Sequence, residues 1–326
     1  MKALVCKESG EVDQLVLEKN WPDPQAEDDK VLIDVKAAGL NFPDLLMVQG
    51  KYQTQPDLPF VVGGECAGVI SAIGKNVSHY KVGDKVIAIG GTAFAEKNLV
   101  SENACYLMPE SLNFEQAAGA SITYFTSYYA LKQRANLQAG ETLLVLGAGG
   151  GVGITAVEIG KMMGAKVIAA ASNEEKLQLA RDMGADETIN YSEQSVKDAV
   201  KELTGGKGAD VVYDPVGGDY SEQALRATAW NGRFLVIGFA SGPIPKIPLN
   251  LPLLKGCSVI GVFWGTSTLM EPETHKQNVA ELRQLFDEGK LNPVVTDRFE
   301  LEEYEKAFAC LSERRARGKV IIKVAD

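Results

Sequence analysis

Metal-binding side chains are scarce in this sequence. It has five cysteines, Cys6, Cys66, Cys105, Cys257 and Cys310, and two histidines, His79 and His275, in 326 residues. No two cysteines form a C-x-x-C pair, so neither a zinc lobe nor a redox dithiol is indicated. An odd, dispersed set of thiols is also no disulfide framework. Basic residues are outnumbered, 33 against 43 acidic ones, for a net charge of −10. That balance leaves no electrostatic footprint for nucleic acid. No apolar run approaches the roughly 18 residues of a membrane-spanning helix. The opening MKALVCKESG lacks the apolar core of a secretory signal. The expectation is a cytoplasmic protein with neither a nucleic-acid nor a membrane partner.

What is present is apolar material, 45% of the chain, and a length that suggests about two domains. The most informative stretch is 142–172, TLLVLGAGGGVGITAVEIGKMMGAKVIAAAS. Leu143 to Leu146 has the composition of a strand buried on both faces. Gly147, Gly149, Gly150, Gly151 and Gly153 follow. Val152, Ala156, Ile159 and Met163 then recur at helical spacing, and Val167 to Ala171 closes a βαβ unit. The relaxed fingerprint Ala148-x-Gly150-x-x-Gly153 fits a turn that lets backbone approach a pyrophosphate, with Gly149, Gly150, Gly151 and Val152 offering N–H groups at the helix start. Beyond it the rhythm continues. A helix is expected from Ser172, with Glu175 completing a capping box, then strands at 188–190, 209–214, 233–238 and 258–263. Six strands in this alternation predict a doubly wound sheet.

Residues 1–122 read instead as short strands joined by glycine turns, a barrel-like β domain. A helix is expected over 114–134. Helices near 275–288 and 301–314 and a strand at 319–324 end the chain, and one arrangement returns that tail to the first domain. The expected division is 1–122 with 266–326, and 123–265. Within the first domain, Asn41 and Asp44 flank an apolar segment, and their types suit turns and helix caps as well as a site. The second strand of the sheet ends at Ala171 with no acid at its tip, where NAD-binding sheets place one for the ribose. Ser172 as donor and Lys176 one turn on favour NADP, although Lys176 also suits a solvated helix face.

Taken together, GLNFPDLLMVQGKY, PFVVGGECAGVI, VGDKV, AGASITYFTSYYAL, GAGGGVG, GADETINY, GKGADVVYDPVGG and GVFWG give the chain a resemblance to the medium-chain dehydrogenase/reductase superfamily. The branch it resembles is that of the zinc-free, zeta-crystallin-like quinone oxidoreductases, over nearly its whole length. The resemblance implies a GroES-like β-barrel-type catalytic domain and a Rossmann NADP-binding domain. In zinc-bearing relatives a cysteine stands at the position of Asn41 and a histidine at that of Gly64; with both replaced, Glu65 alone leaves no zinc site. The family implies that Asn41 and Thr126 lie near the nicotinamide, and that Tyr52 lines the substrate pocket. Ser172, Lys176 and Tyr191 would surround the adenosine phosphate, with Arg314 also reaching it. Gly238 and Phe239 would lie beside the cofactor, and Phe263, Trp264 and Gly265 beside its carboxamide.

The activity so implied is hydride transfer from NADPH to a quinone or an α,β-unsaturated carbonyl. Asn41, Tyr52 and Thr126 would form the reacting pocket, and Tyr52, the Asn41 amide or water would stabilise the acceptor oxygen. A 2-enoyl thioester or 2-haloacrylate-type reductase is the alternative within the class, with Lys51 the cationic residue at hand. A non-catalytic NADPH-binding protein is the alternative outside it. A homodimer is expected through the edge strand at 258–262, whose SVIGVF stretch has few charges to discourage pairing.

Overall fold

The computed structural model describes residues 1–325. The chain forms two compact units, Met1–Ile122 with the segment from Arg283 onward, and Thr123–Leu282. The N-terminal part of the first unit contains β1 (Ala3–Cys6), β2 (Val16–Glu18), β3 (Lys30–Leu40), α1 (Phe42–Val48), β4 (Phe60–Val61), β5 (Glu65–Ile73), β6 (Lys85–Ile89), β7 (Lys97–Ser101), β8 (Cys105–Leu107) and α2 (Phe114–Ala118). Strand β1 joins β2 and β4 in a small antiparallel sheet. The larger sheet runs from β3 through β5 and β6 to β8, with β7 also paired to β3. Alternation in β3 sends Val31, Ile33 and Val35 into a core shared with Leu4, Ile70 and Phe94, all almost completely buried.

The second unit takes up most of α3 (Ser121–Tyr129), then β9 (Thr142–Leu146), α4 (Gly151–Met162), β10 (Lys166–Ala171), α5 (Glu174–Asp182), β11 (Glu187–Asn190), α6 (Val196–Leu203), β12 (Ala209–Asp214), α7 (Gly218–Arg226), β13 (Thr228–Val236), α8 (Asn250–Lys255), β14 (Ser258–Gly261), α9 (Trp264–Met270) and the greater part of α10 (Pro272–Asp287). Its six strands lie in the order β11-β10-β9-β12-β13-β14, all parallel. This is the doubly wound arrangement, whose order reverses between β9 and β12. The chain then returns to the first unit with β15 (Val295–Glu300), α11 (Tyr304–Ser312) and β16 (Lys319–Lys323). Strand β16 pairs antiparallel with β3 in the register Val320↔Leu40, which carries Lys319 to the end of β3. Among the described residues no helix is long and apolar enough to cross a membrane.

Several boundaries differ from expectation for local reasons. The return to the first unit falls at Arg283, not at 266. Helix α10 is tied to the second unit by Glu281, which accepts from Tyr128 at 2.6 Å and from Lys132, and by the reciprocal amides of Gln133 and Asn278. The helix expected over 114–134 breaks at Gly119 and Ala120, and ends in a wider turn with Ala135 N–H on Ala130 O. Helix α5 is capped by Asn173, whose side chain accepts from Lys176 N at 3.0 Å, and not by Ser172. The short helices α8 and α9 carry no clear periodic signal in the sequence. The segment 301–314 opens as a tight turn before α11 begins at Tyr304.

Candidate active site

In the first unit a polar cluster is sealed where β3 ends and α1 begins. Glu65 is fully buried, and Asp44, Asn41 and Lys319 nearly so. The Asn41 side chain stands at the N-cap of α1, in a capping box with Asp44. Its Nδ2 donates to Glu65 Oε1 at 2.8 Å and to Gly39 O at 3.2 Å, while its Oδ1 accepts from Lys319 Nζ. Since an ammonium can only donate, the amide orientation is fixed by its partners. Lys319 Nζ also lies 2.6 Å from Glu65 Oε1 and donates to Leu40 O at 3.2 Å. The other Glu65 oxygen, Oε2, accepts from Ser121 Oγ at 2.5 Å and from Ile122 N at 2.8 Å.

Two glycines make room for this ion pair. A Cβ on Gly39 would lie 2.4 Å from Glu65 Oε1, and one on Gly119 would lie 2.6 Å from Lys319 Cγ. Asp44 supplies the N3 half of that box, its Oδ2 accepting from Asn41 N at 2.8 Å. Burial pushes the Asp44 carboxyl up to about 7, with Glu65 adding to the rise and the Asn41 N–H and Lys319 opposing it. Tyr52, half-buried in the loop after α1, has its phenol raised by burial and by the Asp44 charge. The expectation that the Asn41 amide donates to an acceptor oxygen requires correction, because both of its N–H groups are engaged inside the protein.

In the second unit the glycine turn joins β9 to α4. Gly147 takes the left-handed conformation at φ +60°, so the tight turn sits one residue before the motif position held by Ala148. A Cβ on Gly153 would stand 2.1 Å from Gly147 O, which explains the glycine that brings helix and strand together. Helix α4 begins at Gly151 behind Gly150, and no side chain caps it. The N–H groups of Gly151, Val152 and Gly153 precede the first intrahelical donor, Ile154 N, which bonds Gly150 O at 2.8 Å. That donor set fits a pyrophosphate. Gly149 packs against Lys176, where an added Cβ would come within 2.5 Å of the lysine Cβ. Tyr191 N donates to Ala171 O at 3.1 Å, and Ser192 Oγ to Ser172 O at 2.9 Å. Ser172, Lys176 and Tyr191 are thus gathered around the tip of β10. Glu174 turns away to Arg181 at 2.6 Å.

Other expected residues of this unit occupy the neighbouring strand ends. Gly238 and Phe239 follow β13, and Phe239 packs on the turn at Gly217. Exposed Phe263 precedes α9, Trp264 and Gly265 open it, and the Trp264 ring lies 5.9 Å from both Phe125 and His275. Thr126 is half-buried on α3. Its neighbour Ser127 bonds Thr155 and Tyr213, each at 2.8 Å, and donates to Val152 O, so α3 is anchored to the glycine turn. Sequence reasoning missed Ser127 and Asp214. Asp214 ends β12, is raised by burial, and accepts from Ser221 Oγ and from the N–H groups of Val216 and Gly217. The acid-glycine run of VVYDPVGG was its signal. Arg314 belongs to the first unit, in a left-handed turn after α11.

Residues 27–139 match the alcohol dehydrogenase GroES-like domain, and residues 151–284 match the model described as zinc-binding dehydrogenase. The quinone oxidoreductase-like protein 2 homolog of Nematostella vectensis is 40% identical over 98% of this chain and 88% of its own length. The solved structure of Escherichia coli quinone oxidoreductase complexed with NADPH superposes with a TM-score of 0.93 at 28% identity, over 99% of this chain and 100% of that one. The CurK enoyl reductase structure gives a TM-score of 0.90, also at 28% identity, over 99% of each chain. A GroES-like unit joined to a Rossmann unit defines a two-domain oxidoreductase of the alcohol dehydrogenase type. Within that class, the chain belongs to the medium-chain dehydrogenase/reductase superfamily and to its quinone oxidoreductase family.

The zinc named for one of these models does not fit the residues present. Asn41 and Gly64 offer no thiolate or imidazole, and the cation beside Glu65 is the Lys319 ammonium. Among the described residues no group of three or more histidine, cysteine, aspartate or glutamate side chains is arranged to hold a metal ion.

Proposed function

We propose that this protein is an NADPH-dependent reductase that delivers hydride to a quinone or an α,β-unsaturated carbonyl without a metal ion. The observation that carries the proposal is the Lys319 counter-charge on Glu65. A plain alcohol dehydrogenase needs a Lewis acid to stabilise an alkoxide, whereas conjugation already makes an enone or quinone electrophilic. NADPH, when bound, supplies the hydride. The glycine turn and the start of α4 hold the pyrophosphate, and Ser172, Lys176 and Tyr191 hold the adenosine phosphate. Arg314 is proposed as a further phosphate partner. Gly238, Phe239, Phe263, Trp264 and Gly265 frame the rest of the dinucleotide, and Asn41 and Thr126 flank its nicotinamide. Tyr52, whose raised phenol stays protonated at neutral pH, donates a hydrogen bond to the acceptor oxygen. No obligate acid–base pair is required, because solvent completes protonation.

A panel of quinones, enals, enones, acrylates and enoyl thioesters, assayed with NADPH and with NADH, tests this reading. Turnover of quinones or enones with NADPH is expected, and NADPH binding without turnover of any electrophile would sink it. Preference for an enoyl thioester would favour the second reading, which the likeness to an enoyl reductase supports. We place the protein in the cytoplasm, on the strength of its five free thiols; cell fractionation checks that.

The proposed assembly is a homodimer through β14. That strand ends its sheet. Val259, Phe263, Leu253, Leu254 and Trp230, from β14 and the nearby elements of the same unit, are each at least half exposed. Light scattering at micromolar concentration should give twice the chain mass, and a monomer mass would refute it.

A further inference from the structure

A second buried network lies wholly within the second unit, behind the glycine turn. The Tyr213 phenol on β12 is fully buried, and among the described residues its hydrogen-bond partner is the Ser127 hydroxyl, 2.8 Å away. Burial raises that phenol and keeps it protonated, so its proton goes to Ser127 Oγ. The Ser127 proton then points away from the phenol, to Val152 O at 3.0 Å. Thr155 Oγ1, 2.8 Å from Ser127 Oγ, has Val152 O at 3.0 Å and Thr123 O at 3.2 Å for its own proton. Val152 O shares a planar trans peptide with Gly153 N, so a grip on the oxygen sets the direction of the N–H on the opposite side. The Gly153 N–H precedes the first intrahelical donor of α4 and has no acceptor within the helix. A carbonyl that accepts hydrogen bonds also makes the N–H of its own peptide a stronger donor.

We infer that Ser127 is a positioning residue for the dinucleotide, which holds the Val152–Gly153 peptide so that the Gly153 N–H meets the pyrophosphate. The inference rests on the reading that the glycine turn and the start of α4 bind that group. A serine that merely satisfied the Tyr213 phenol would matter to stability alone. The two roles separate because they use different bonds. Ser127→Ala leaves the phenol a buried donor without its acceptor, and it leaves Val152 O one hydroxyl short. Adding Tyr213→Phe removes the first fault and leaves the second.

The test compares Ser127→Ala, Tyr213→Phe and the double variant by urea unfolding and by fluorescence titration with NADPH and NADH. Ser127→Ala should lower the unfolding midpoint, and the double variant should recover most of that loss. NADPH affinity should fall by about 3- to 10-fold in Ser127→Ala, the worth of one hydrogen bond, and should stay low in the double variant. Tyr213→Phe alone should lose less affinity than Ser127→Ala, since Ser127 still reaches Val152 O. NADH carries the same pyrophosphate, so its affinity should fall by the same factor within about twofold. Wild-type affinity in folded Ser127→Ala, or affinity that recovers together with stability in the double variant, would overturn the proposal. So would a loss confined to NADPH, which would move the effect to the adenosine phosphate. Wild-type protein that binds neither dinucleotide would sink the underlying reading by itself. The amide nitrogen resonance of Gly153 then decides whether Ser127 grips that peptide. A shift in Ser127→Ala and in the double variant, smaller in Tyr213→Phe, upholds the grip, and an unmoved resonance refutes it.

Discussion

Replacing Gly153 by alanine should damage binding and folding together, and the size of the effect can be worked from the turn itself. The added Cβ would stand 2.1 Å from Gly147 O, 2.8 Å from Gly147 C and 3.0 Å from Ala148 Cα, against 3.4–4 Å for ordinary contact. All three atoms are backbone, so no side chain can swing aside. The start of α4 must therefore move away from the end of β9 by about an ångström. Overpacking of this kind costs about 1–3 kcal/mol, which for a unit of this size lowers the unfolding midpoint by roughly 2–10 °C. The shift also carries the N–H groups of Gly151 and Val152 out of line with the pyrophosphate. Loss of even one such charge-assisted bond is worth about 1.5–3 kcal/mol, so NADPH affinity should fall by about 10- to 150-fold or more.

Gly150→Ala is the control. Its Cβ would meet Gly147 O at 3.4 Å, an ordinary contact. Stability should then change by no more than about 1 kcal/mol, the scale of an altered N-cap, while affinity still falls because the methyl group occupies the anion's approach. Fluorescence titration with NADPH and thermal denaturation read the two effects separately. Wild-type affinity and midpoint in Gly153→Ala would refute the packing argument.

Lys176→Ala should erode the preference for NADPH over NADH by about 1–3 kcal/mol, the scale of a hydrogen bond to a charged group; equal affinity of the wild type for both dinucleotides would refute the assignment of the phosphate site. Asp44 should make stability depend on pH. Its carboxyl ionises near the ordinary 3.8 when unfolded and near about 7 when folded, so the folded state holds the extra proton between those values. Its contribution is therefore full below about pH 4 and is lost as pH rises through 7, by about 4 kcal/mol at most. In Asp44→Asn that dependence should vanish, so the stability of wild type minus variant, from urea unfolding, should fall between pH 4 and pH 7; a rise would contradict the assignment. Tyr52→Phe should lower kcat/KM by about 10- to 1000-fold, the worth of one oxyanion donor. Complete loss of turnover with intact NADPH binding would make the tyrosine an obligate proton donor instead.

How much of this was legible in the sequence depended on distance along the chain. The strand, turn and helix at 142–163 announce themselves because buried run, glycines and helical period are adjacent, and β12 is found at its expected bounds, Ala209–Asp214. Even there the motif placed Ala148 at the turn, while the left-handed residue is Gly147, since a spacing pattern does not report φ. The break between α2 and α3 was hidden because small and aromatic residues continue the helical pattern through Gly119. The capping reading of Asn41 and Asp44 is met by the box at the start of α1, but nothing adjacent in the chain announced that the Asn41 amide also meets Glu65 and Lys319. Lys319 itself had no local signal. It reaches Asn41 from 278 residues away, through the pairing of β16 with β3, and in the sequence GKVIIKV it reads as an ordinary flanking charge. Ser121 was equally silent, because its hydroxyl serves a carboxylate 56 residues earlier.

The buried ion pair also bears on which acceptors this architecture suits. Removing Glu65 and Lys319 from water costs several kcal/mol per ion, and only a network with every donor and acceptor filled offsets that cost. Such a network resists rearrangement, because any partner taken by a ligand would leave a buried charge unsatisfied. The ammonium has no vacant orbital for a carbonyl lone pair, and its three protons are already held. Glu65 likewise has no oxygen left to act as a base. The cluster therefore offers an incoming carbonyl no electrophile and no proton carrier. What remains near it is orientation, through Asn41, and one neutral phenol, Tyr52. A saturated ketone gains little from those two, because its reduction concentrates charge on the oxygen beside the attacked carbon. A quinone or enone accepts hydride at a carbon remote from its oxygen and spreads the charge by conjugation, so a single hydrogen bond suffices. The same lysine that fills the charge vacancy beside Glu65 is thus an argument for the proposal of a conjugated acceptor.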